Sequence, residues 1–236
     1  MSKRISAPSS QPAPKTISRS QVAKLLPKRP RDSHKGQFGT VAVIGGASGM
    51  VGAPLMAARA ALKLGAGCVH VGLLADNAPC VDLLQPELML HGASVALALP
   101  GVDVLAIGCG LGRDMTAQKL LYDALRSKAA LVLDADALNI LAQRPDLRGL
   151  LIGREAACVL TPHPGEAARL LGCEVEEVQA DRVAAVQQLA EKFAATVVLK
   201  GADSLCATRD GKLFVNKTGN PGMSAAGMGD VLTGMI

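Results

Sequence analysis

The chain has no tryptophan, one tyrosine and three phenylalanines among its 236 residues. A core must therefore be assembled from Ala, Val, Leu and Ile, and a surface that stacks nucleic-acid bases on aromatic rings is disfavoured. Its six cysteines, at 68, 80, 109, 158, 173 and 206, form no Cys-x-x-Cys pair and mostly sit in apolar runs. That pattern fits buried free thiols in a reducing compartment, the cytoplasm, rather than the disulfide framework of a small secreted domain. No apolar run approaches the roughly 18 residues of a membrane span, and Ser, Pro, Lys and Gln interrupt the first twenty residues, which excludes a signal peptide. No Walker A sequence occurs. Gly46-x-x-Gly49-x-x-Gly52 is not the dinucleotide spacing Gly-x-Gly-x-x-Gly, and the next acid after a strand, Asp76, stands too far on. Both an ordinary P-loop and a hydride-transferring Rossmann domain are thereby set aside.

The net charge of +5 is misleading. Residues 1–36 hold nine Lys and Arg against Asp32 alone, whereas the remainder holds 16 bases and 19 acids. The basic balance belongs to a leader, of which residues 1–20, rich in Ser, Pro and Lys, are expected to be disordered. A Ser- and Arg-bearing stretch with few acids is also compatible with a transit peptide.

What the chain has in abundance is glycine, 25 residues, and aliphatic side chains. Strand, glycine loop and helix recur. Residues 39–44 read as a buried strand entering Gly45-Gly46, followed by a helix from Ala53 with Pro54 in its first turn. Further strands are expected at 68–74, 102–107, 130–133, 158–160 and 196–199, and helices at 116–127 and 181–193. A hairpin is expected over 204–208 and 213–216, turning at Asp210-Gly211. This order predicts an α/β fold with a mostly parallel sheet covered on both faces, and a ligand site beyond the carboxyl ends of the strands.

The chemistry-bearing residues cluster in those loops. Gly227-Met228-Gly229-Asp230 stands where an apolar helix begins. The free N–H groups of a helix start, with the helix dipole behind them, bind an anion. A carboxylate there is out of place unless it takes a proton from a hydroxyl that attacks phosphorus; the plain alternative is a helix N-cap. Lys200-Gly201-Ala202-Asp203-Ser204, after a strand, combines a cation, a glycine and a hydroxyl, which suits nucleotide phosphates, although a solvated lysine before a turn reads the same way. His163, stiffened between Pro162 and Pro164, is read as a ligand contact rather than a metal ligand, because His34, His70 and His91 show no ligand spacing. Asp134, Asp136 and Asn139 are placed to reach a phosphate-bound Mg²⁺, or to cap the next helix, Asp136 above all.

Taken together, His34-Lys35-Gly36-x-x-Gly39, Gly45-Gly46…Gly52-Ala53-Pro54, Gly108-x-Gly110-Leu111-Gly112, Asp134-Ala135-Asp136-Ala137-Leu138-Asn139, Thr161-Pro162-His163-Pro164-Gly165-Glu166, Lys200-Gly201 and Gly219-Asn220-Pro221-Gly222-Met223…Gly227-Met228-Gly229-Asp230 resemble the ADP/ATP-dependent NAD(P)H-hydrate dehydratases of the ribokinase-like superfamily. The resemblance runs over roughly residues 16–236. It implies a three-layer αβα sandwich with a single ribokinase-like domain over 21–236. It also implies dehydration of the S-epimer of hydrated NADH or NADPH, in which the ring hydroxyl is phosphorylated and phosphate is then eliminated. The implied cofactors are ADP or ATP with Mg²⁺. By the same resemblance Asp230 is the base, and Ala53, Gly112, His163 and Asp230 contact the hydrated dinucleotide. Lys200, Gly201, Ala202, Asp203, Ser204 and Gly229 bind the adenine nucleotide, and the amides of Gly227, Met228 and Gly229 form the anion hole. A homo-tetramer and a functional link to an NAD(P)H-hydrate epimerase are likewise implied, with no nucleic-acid or membrane partner. Met228 departs from the Ser or Ala of many relatives. Family members continue beyond the helix that here stops at Ile236, so a domain truncated at its C-terminus is expected. A vitamin kinase of the same superfamily, or a non-catalytic nucleotide-binding protein, are the alternatives.

Overall fold

The computed structural model describes residues 13–26 and 28–236. In chain order it runs β1 (Lys15–Thr16), α1 (Arg19–Leu25), β2 (Thr40–Gly45), α2 (Gly52–Leu64), β3 (Cys68–Leu73), β4 (Met89–Gly92), α3 (Ala93–Leu97), β5 (Val104–Ile107) and α4 (Met115–Arg126). There follow β6 (Ala130–Leu133), α5 (Ala135–Gln143), α6 (Pro145–Ile152), β7 (Cys158–Leu160), α7 (Pro164–Leu171), α8 (Val175–Ala180) and α9 (Arg182–Phe193). The chain closes with β8 (Thr196–Leu199), β9 (Ser204–Ala207), β10 (Leu213–Asn216) and α10 (Met228–Met235).

The strands form one sheet in the order β1-β10-β9-β8-β7-β6-β5-β2-β3-β4. All neighbouring pairs are parallel except those that β9 makes with β8 and β10. Alternation along each strand feeds two cores. Ala42 and Ile44 of β2 join the larger core, under α3 to α9, while Val43 joins the smaller one, with Leu55, Ala57, Ala58 and Ala61 of α2. Helix α10 lies against α2. Gly234 sits so close to the Ala57 carbonyl that a Cβ would overlap it. Helices thus cover both faces, the layered arrangement that the repeated strand–loop–helix pattern predicts. The scarcity of aromatics is visible in the packing: Phe193 is the one aromatic among the largest fully buried side chains, and Leu and Ile supply the rest.

Two expectations need correction. Residues 1–12 lie outside the described residues, but the rest of the leader expected to be disordered is structured. Lys15 and Thr16 pair in parallel register with Phe214 and Val215, and Ser18 opens α1 through a capping box with Gln21. The physical reason is that β10 would otherwise leave an open row of backbone donors and acceptors, and a strand can satisfy them whatever its side chains. Secondly, β4, α3, α5, α6, α7 and α8 are not among the expected elements. They are short, and tertiary packing rather than a strong period of their own holds them.

Candidate active site

Five successive loops leave the carboxyl ends of β2, β5, β6, β7 and β8, and they are bonded to one another. The Gly46 and Ala47 amides donate to the carbonyls of Cys109 and Gly110, at 3.2 and 2.7 Å. Thr161 N donates to Leu133 O at 3.1 Å, and Lys200 N to Pro162 O at 2.9 Å. The loops therefore form a continuous rim. Ala135, at φ 49°, takes the left-handed region just after β6, a conformation that costs a non-glycine residue about 1–2 kcal/mol.

At the centre of the rim lies Lys200. Its Nζ stands 2.7 Å from Asp134 Oδ1 and 3.8 Å from Glu166 Oε2, and both acids are nearly inaccessible to solvent. The other oxygen of Asp134 accepts the Thr233 hydroxyl at 3.0 Å. Glu166 Oε2 accepts the His163 amide at 2.8 Å. His163 is the N-cap of α7: its Nδ1 accepts from the amides of Gly165 and Glu166, at 3.0 and 3.4 Å, and its Nε2 lies 3.4 Å from Glu166 Oε1. An Nδ1 that accepts requires the proton on Nε2 in the neutral ring.

Helix α10 brings its first turn against this centre. Gly227, its N-cap, has φ 85°, open to glycine and strained for other residues. No side chain caps the helix, which leaves its first amides for a ligand. The Met228 amide is the exception, since it donates to Ala225 O at 3.4 Å. The Lys200 ammonium lies directly behind Gly229, 3.4 Å from where a Cβ would stand. Asp230 is half-buried in the same turn. Burial pushes its carboxyl above the ordinary carboxylate range, and the Asp134 charge adds to that; a hydrogen bond from Cys109 and the Lys200 charge pull the other way. Burial also drives the Cys109 thiol far up, so it stays protonated beside Asp230.

The remaining sequence-derived positions fall as follows. The Gly112 amide donates to Asp136 Oδ2 at 2.9 Å, and Arg113 Nε lies 3.7 Å from the same carboxylate. Ala53 opens α2 beside Gly110. The Gly201–Ser204 turn is folded over Arg182, which donates to the carbonyls of Leu199 and Lys200, both at 3.3 Å, and to that of Ala202. Ser204 Oγ donates to Gly201 O. Asn220 caps the short turn Pro221–Met223 in the exposed segment before α10. The His34–Gly39 motif, by contrast, packs at the amino ends of β2 and β3, where Gly67 N donates to Phe38 O and Gly39 O. It is not part of this site.

Asp134, Asp136 and Asn139, read as reaching a phosphate-bound Mg²⁺ directly or through water, each have protein partners. Lys200 and Thr233 take up Asp134, Gly112 and Arg113 take up Asp136, and Arg169 donates to Asn139 Oδ1 at 2.9 Å. Among the described residues no three His, Cys, Asp or Glu side chains are grouped to hold a metal. Asp134 does stand at the N-cap of α5, yet its side chain makes no capping bond. Asp136, expected as that cap, lies in the first turn.

Sequence reasoning missed four participants. Thr233 carried a signal, since it lies three residues beyond Asp230 on one helix face. Glu166 carried one too, as the third residue after His163 in a capping box. Cys109 read as a buried thiol and nothing more. Arg182 gave no sign of its role.

Comparison with known proteins agrees with this geometry. A family model described as NAD(P)H-hydrate dehydratase matches residues 41–236. An ADP-dependent (S)-NAD(P)H-hydrate dehydratase from Neisseria meningitidis is 47% identical over 211 residues, covering 88% of this chain and 71% of that one. A bifunctional NAD(P)H-hydrate repair enzyme from Coxiella burnetii is 46% identical over 219 residues, which cover 91% of this chain and 43% of the relative, so the chain spans less than half of that protein. The crystal structure of an ADP/ATP-dependent NAD(P)H-hydrate dehydratase from Bacillus subtilis, co-crystallised with ATP and Mg²⁺, superposes with a TM-score of 0.83 at 33% identity, over 94% of this chain and 79% of that one. The match runs from β2 through α10 and takes in every loop of the rim, and the chain therefore belongs to the NAD(P)H-hydrate dehydratase family.

Proposed function

We propose that the protein dehydrates the S-epimer of hydrated NADH and NADPH at the expense of ADP or ATP. Asp230 takes the proton of the ring hydroxyl as that oxygen attacks the terminal phosphorus of the nucleotide. The phosphoryl group is received by the first amides of α10, with the helix dipole and the Lys200 ammonium behind them. The O–P bond forms as the bond to the nucleotide's leaving phosphate breaks. The ring-nitrogen lone pair then expels phosphate, and loss of a proton from the adjacent ring carbon to the departing phosphate or to water restores the nicotinamide double bond. Ala53, Gly112 and His163 line the substrate side, and residues 200–204 the nucleotide side. His163 presents a half-exposed ring whose orientation the α7 cap fixes. The Bacillus subtilis neighbour was crystallised with Mg²⁺ as well as ATP, and a Mg²⁺ carried on the nucleotide phosphates would neutralise charge there.

The observation that carries this reading is the half-buried Asp230 carboxylate in the uncapped first turn of α10, one residue from the glycine that the Lys200 ammonium backs. The test is incubation with hydrated NADH and either nucleotide. Recovery of the absorbance of NADH, lost in Asp230→Asn, supports the lyase. A stable phosphorylated product with no recovery of NADH would make the protein a kinase instead.

A cytoplasmic setting accords with six unpaired cysteines and with the absence, among the described residues, of a helix long and apolar enough to cross a membrane. Bifunctional relatives that carry repair activity in a longer chain support a functional link with an epimerase acting on the other epimer. Assembly into a homo-oligomer belongs to the same reading.

A further inference from the structure

Thr233 stands almost one helical turn beyond Asp230, on the same side of α10. It is 2% exposed, and its hydroxyl donates to Asp134 Oδ2 at 3.0 Å. The opposite oxygen of that carboxylate is held by Lys200 Nζ at 2.7 Å. The Cys109 thiol, buried just after β5, lies beside Thr233 and Asp230. A line of hydrogen bonds thus runs inside the protein from Lys200 through Asp134 to Thr233, joining the ends of β8 and β6 to one helix.

Three features show that this line is directed at α10. The residues around Thr233 are Val231, Leu232, Gly234, Met235 and Ile236, so its hydroxyl is the polar tether of the helix body. Asp134 occupies the N-cap of α5 but makes no capping bond, forgoing the stabilisation a cap gives, and turns its carboxylate to Lys200 and Thr233 instead. Apolar packing fixes the rotation of a short helix loosely, and α10 has only eight residues, whereas a buried hydrogen bond to an ion-paired carboxylate fixes it by direction and distance.

We propose that Thr233 is a positioning residue for Asp230: its bond to Asp134 sets the rotation and depth of α10, and so places the carboxylate and the leading amides of that helix against the substrate hydroxyl. The inference rests on the reading of Asp230 as the base. Thr233 touches no reacting atom. It acts because a misplacement of about 1 Å in a catalytic group can cost on the order of 100-fold in rate.

The test compares Thr233→Ser, Thr233→Val and Thr233→Cys with the parent, reading kcat, the KM for nucleotide, and hydrogen exchange of the α10 amides without ligand. The Ser variant keeps the donor and is expected within about threefold of the parent kcat, whereas Val keeps the shape and is expected to lose about 10- to 100-fold, with nucleotide KM within about twofold and faster exchange in α10. Parent-like kcat in the Val variant overturns the proposal. So does a Ser variant as slow as Val, which would assign Thr233 to methyl packing. Should the Val variant not fold, the Cys variant replaces it as a weak donor of similar shape, and equal rates for Ser and Cys then refute the proposal. A parent without dehydratase turnover refutes the proposed function instead. The exchange measurement needs no substrate and still decides the clamp, since unchanged α10 exchange in the donor-less variant overturns it.

Discussion

Replacing Lys200 by methionine tests the centre of the site through stability before any substrate is added. The ammonium is the cation bonded to Asp134 and the one closest to Glu166 on its Oε2 side, with side-chain exposures of 20% for Lys200, 2% for Asp134 and 5% for Glu166. An exposed ion pair contributes about 0–1 kcal/mol, but removing one partner of a buried pair costs about 3–5 kcal/mol because the other charge stays behind uncompensated. Lys200 keeps some contact with water, so a somewhat smaller cost, about 2–4 kcal/mol, applies here. For a chain of this length the melting temperature falls by about 2–4 °C per kcal/mol, and Lys200→Met should therefore melt roughly 4–16 °C below the parent. The double variant Lys200→Met, Asp134→Asn removes both charges yet leaves an amide oxygen for Thr233. It should recover at least half of the loss. Thermal unfolding of the parent, both single variants and the double variant completes the cycle. If the two losses simply add, the pair is not coupled and the account of the site centre fails. The same variant should raise the nucleotide KM, because the charge behind Gly229 is gone.

Asp230→Asn should lower turnover by about 100- to 10,000-fold with nucleotide affinity nearly unchanged; retained turnover would remove this carboxylate from the chemistry. The same variant should melt above the parent at neutral pH. Burial raises the folded-state pKa of Asp230, so the ionised side chain is a burden above that pKa, and the advantage of Asn should shrink as pH falls through it. The acid limb of kcat/KM should accordingly lie above the ordinary carboxylate range, and a limb near the ordinary value of 3.8 would contradict the burial. Gly234→Ala drives a methyl into the Ala57 carbonyl and should cost about 1–3 kcal/mol; urea titration with an unchanged midpoint would show that α10 is not seated on α2 as described. Asp136→Ala releases the Gly112 amide and should raise the KM for hydrated dinucleotide several-fold, and no change in KM would take Gly112 out of the substrate contacts.

How far the sequence reaches depends on whether a feature is local. The buried strands at 130–133, 158–160 and 196–199 are legible to the residue, because continuous β-branched and aliphatic runs bounded by Pro, Gly or Asp leave little choice of register. The hairpin turning at Asp210-Gly211 is equally legible. The rim loops are legible as a set, since each places glycine or a titratable residue just after a strand. The pairing of Lys15–Thr16 with β10 is not, because backbone pairing across the chain leaves no mark on composition. The partners of Lys200 are hidden for a related reason. A lysine before a turn reads as solvated until the fold brings Asp134 and Glu166 to it from two other strands, and only then is the ammonium an internal counter-ion. Asp136 shows the opposite error. An acid at a helix start is favoured as a cap, yet the Gly112 amide, from a different loop, claims it.

An anion-binding helix start beside three carboxylates is at first sight self-defeating, since Asp134, Glu166 and Asp230 all repel a phosphate. The geometry resolves this by unequal treatment. Asp134 has one oxygen on Lys200 and the other on Thr233. Glu166 faces Lys200 and the His163 amide with one oxygen and the His163 ring with the other. Both are thus screened by close partners before a ligand arrives. Asp230, half-buried, has beside it the Cys109 thiol, the weakest donor of the group. It is therefore the carboxylate best able to accept a proton. In the proposed mechanism its charge is then gone, and the developing phosphoryl group meets amides, a helix dipole and an ammonium beside two acids whose charges already have partners. Proton transfer and anion stabilisation then reinforce each other, which requires Asp230 to be the least satisfied acid of the three. A variant that gave it a strong donor, such as Cys109→Lys, should slow turnover even if folding and nucleotide affinity were preserved; turnover as fast as the parent's in that variant would mean that the basicity of Asp230 does not limit the reaction.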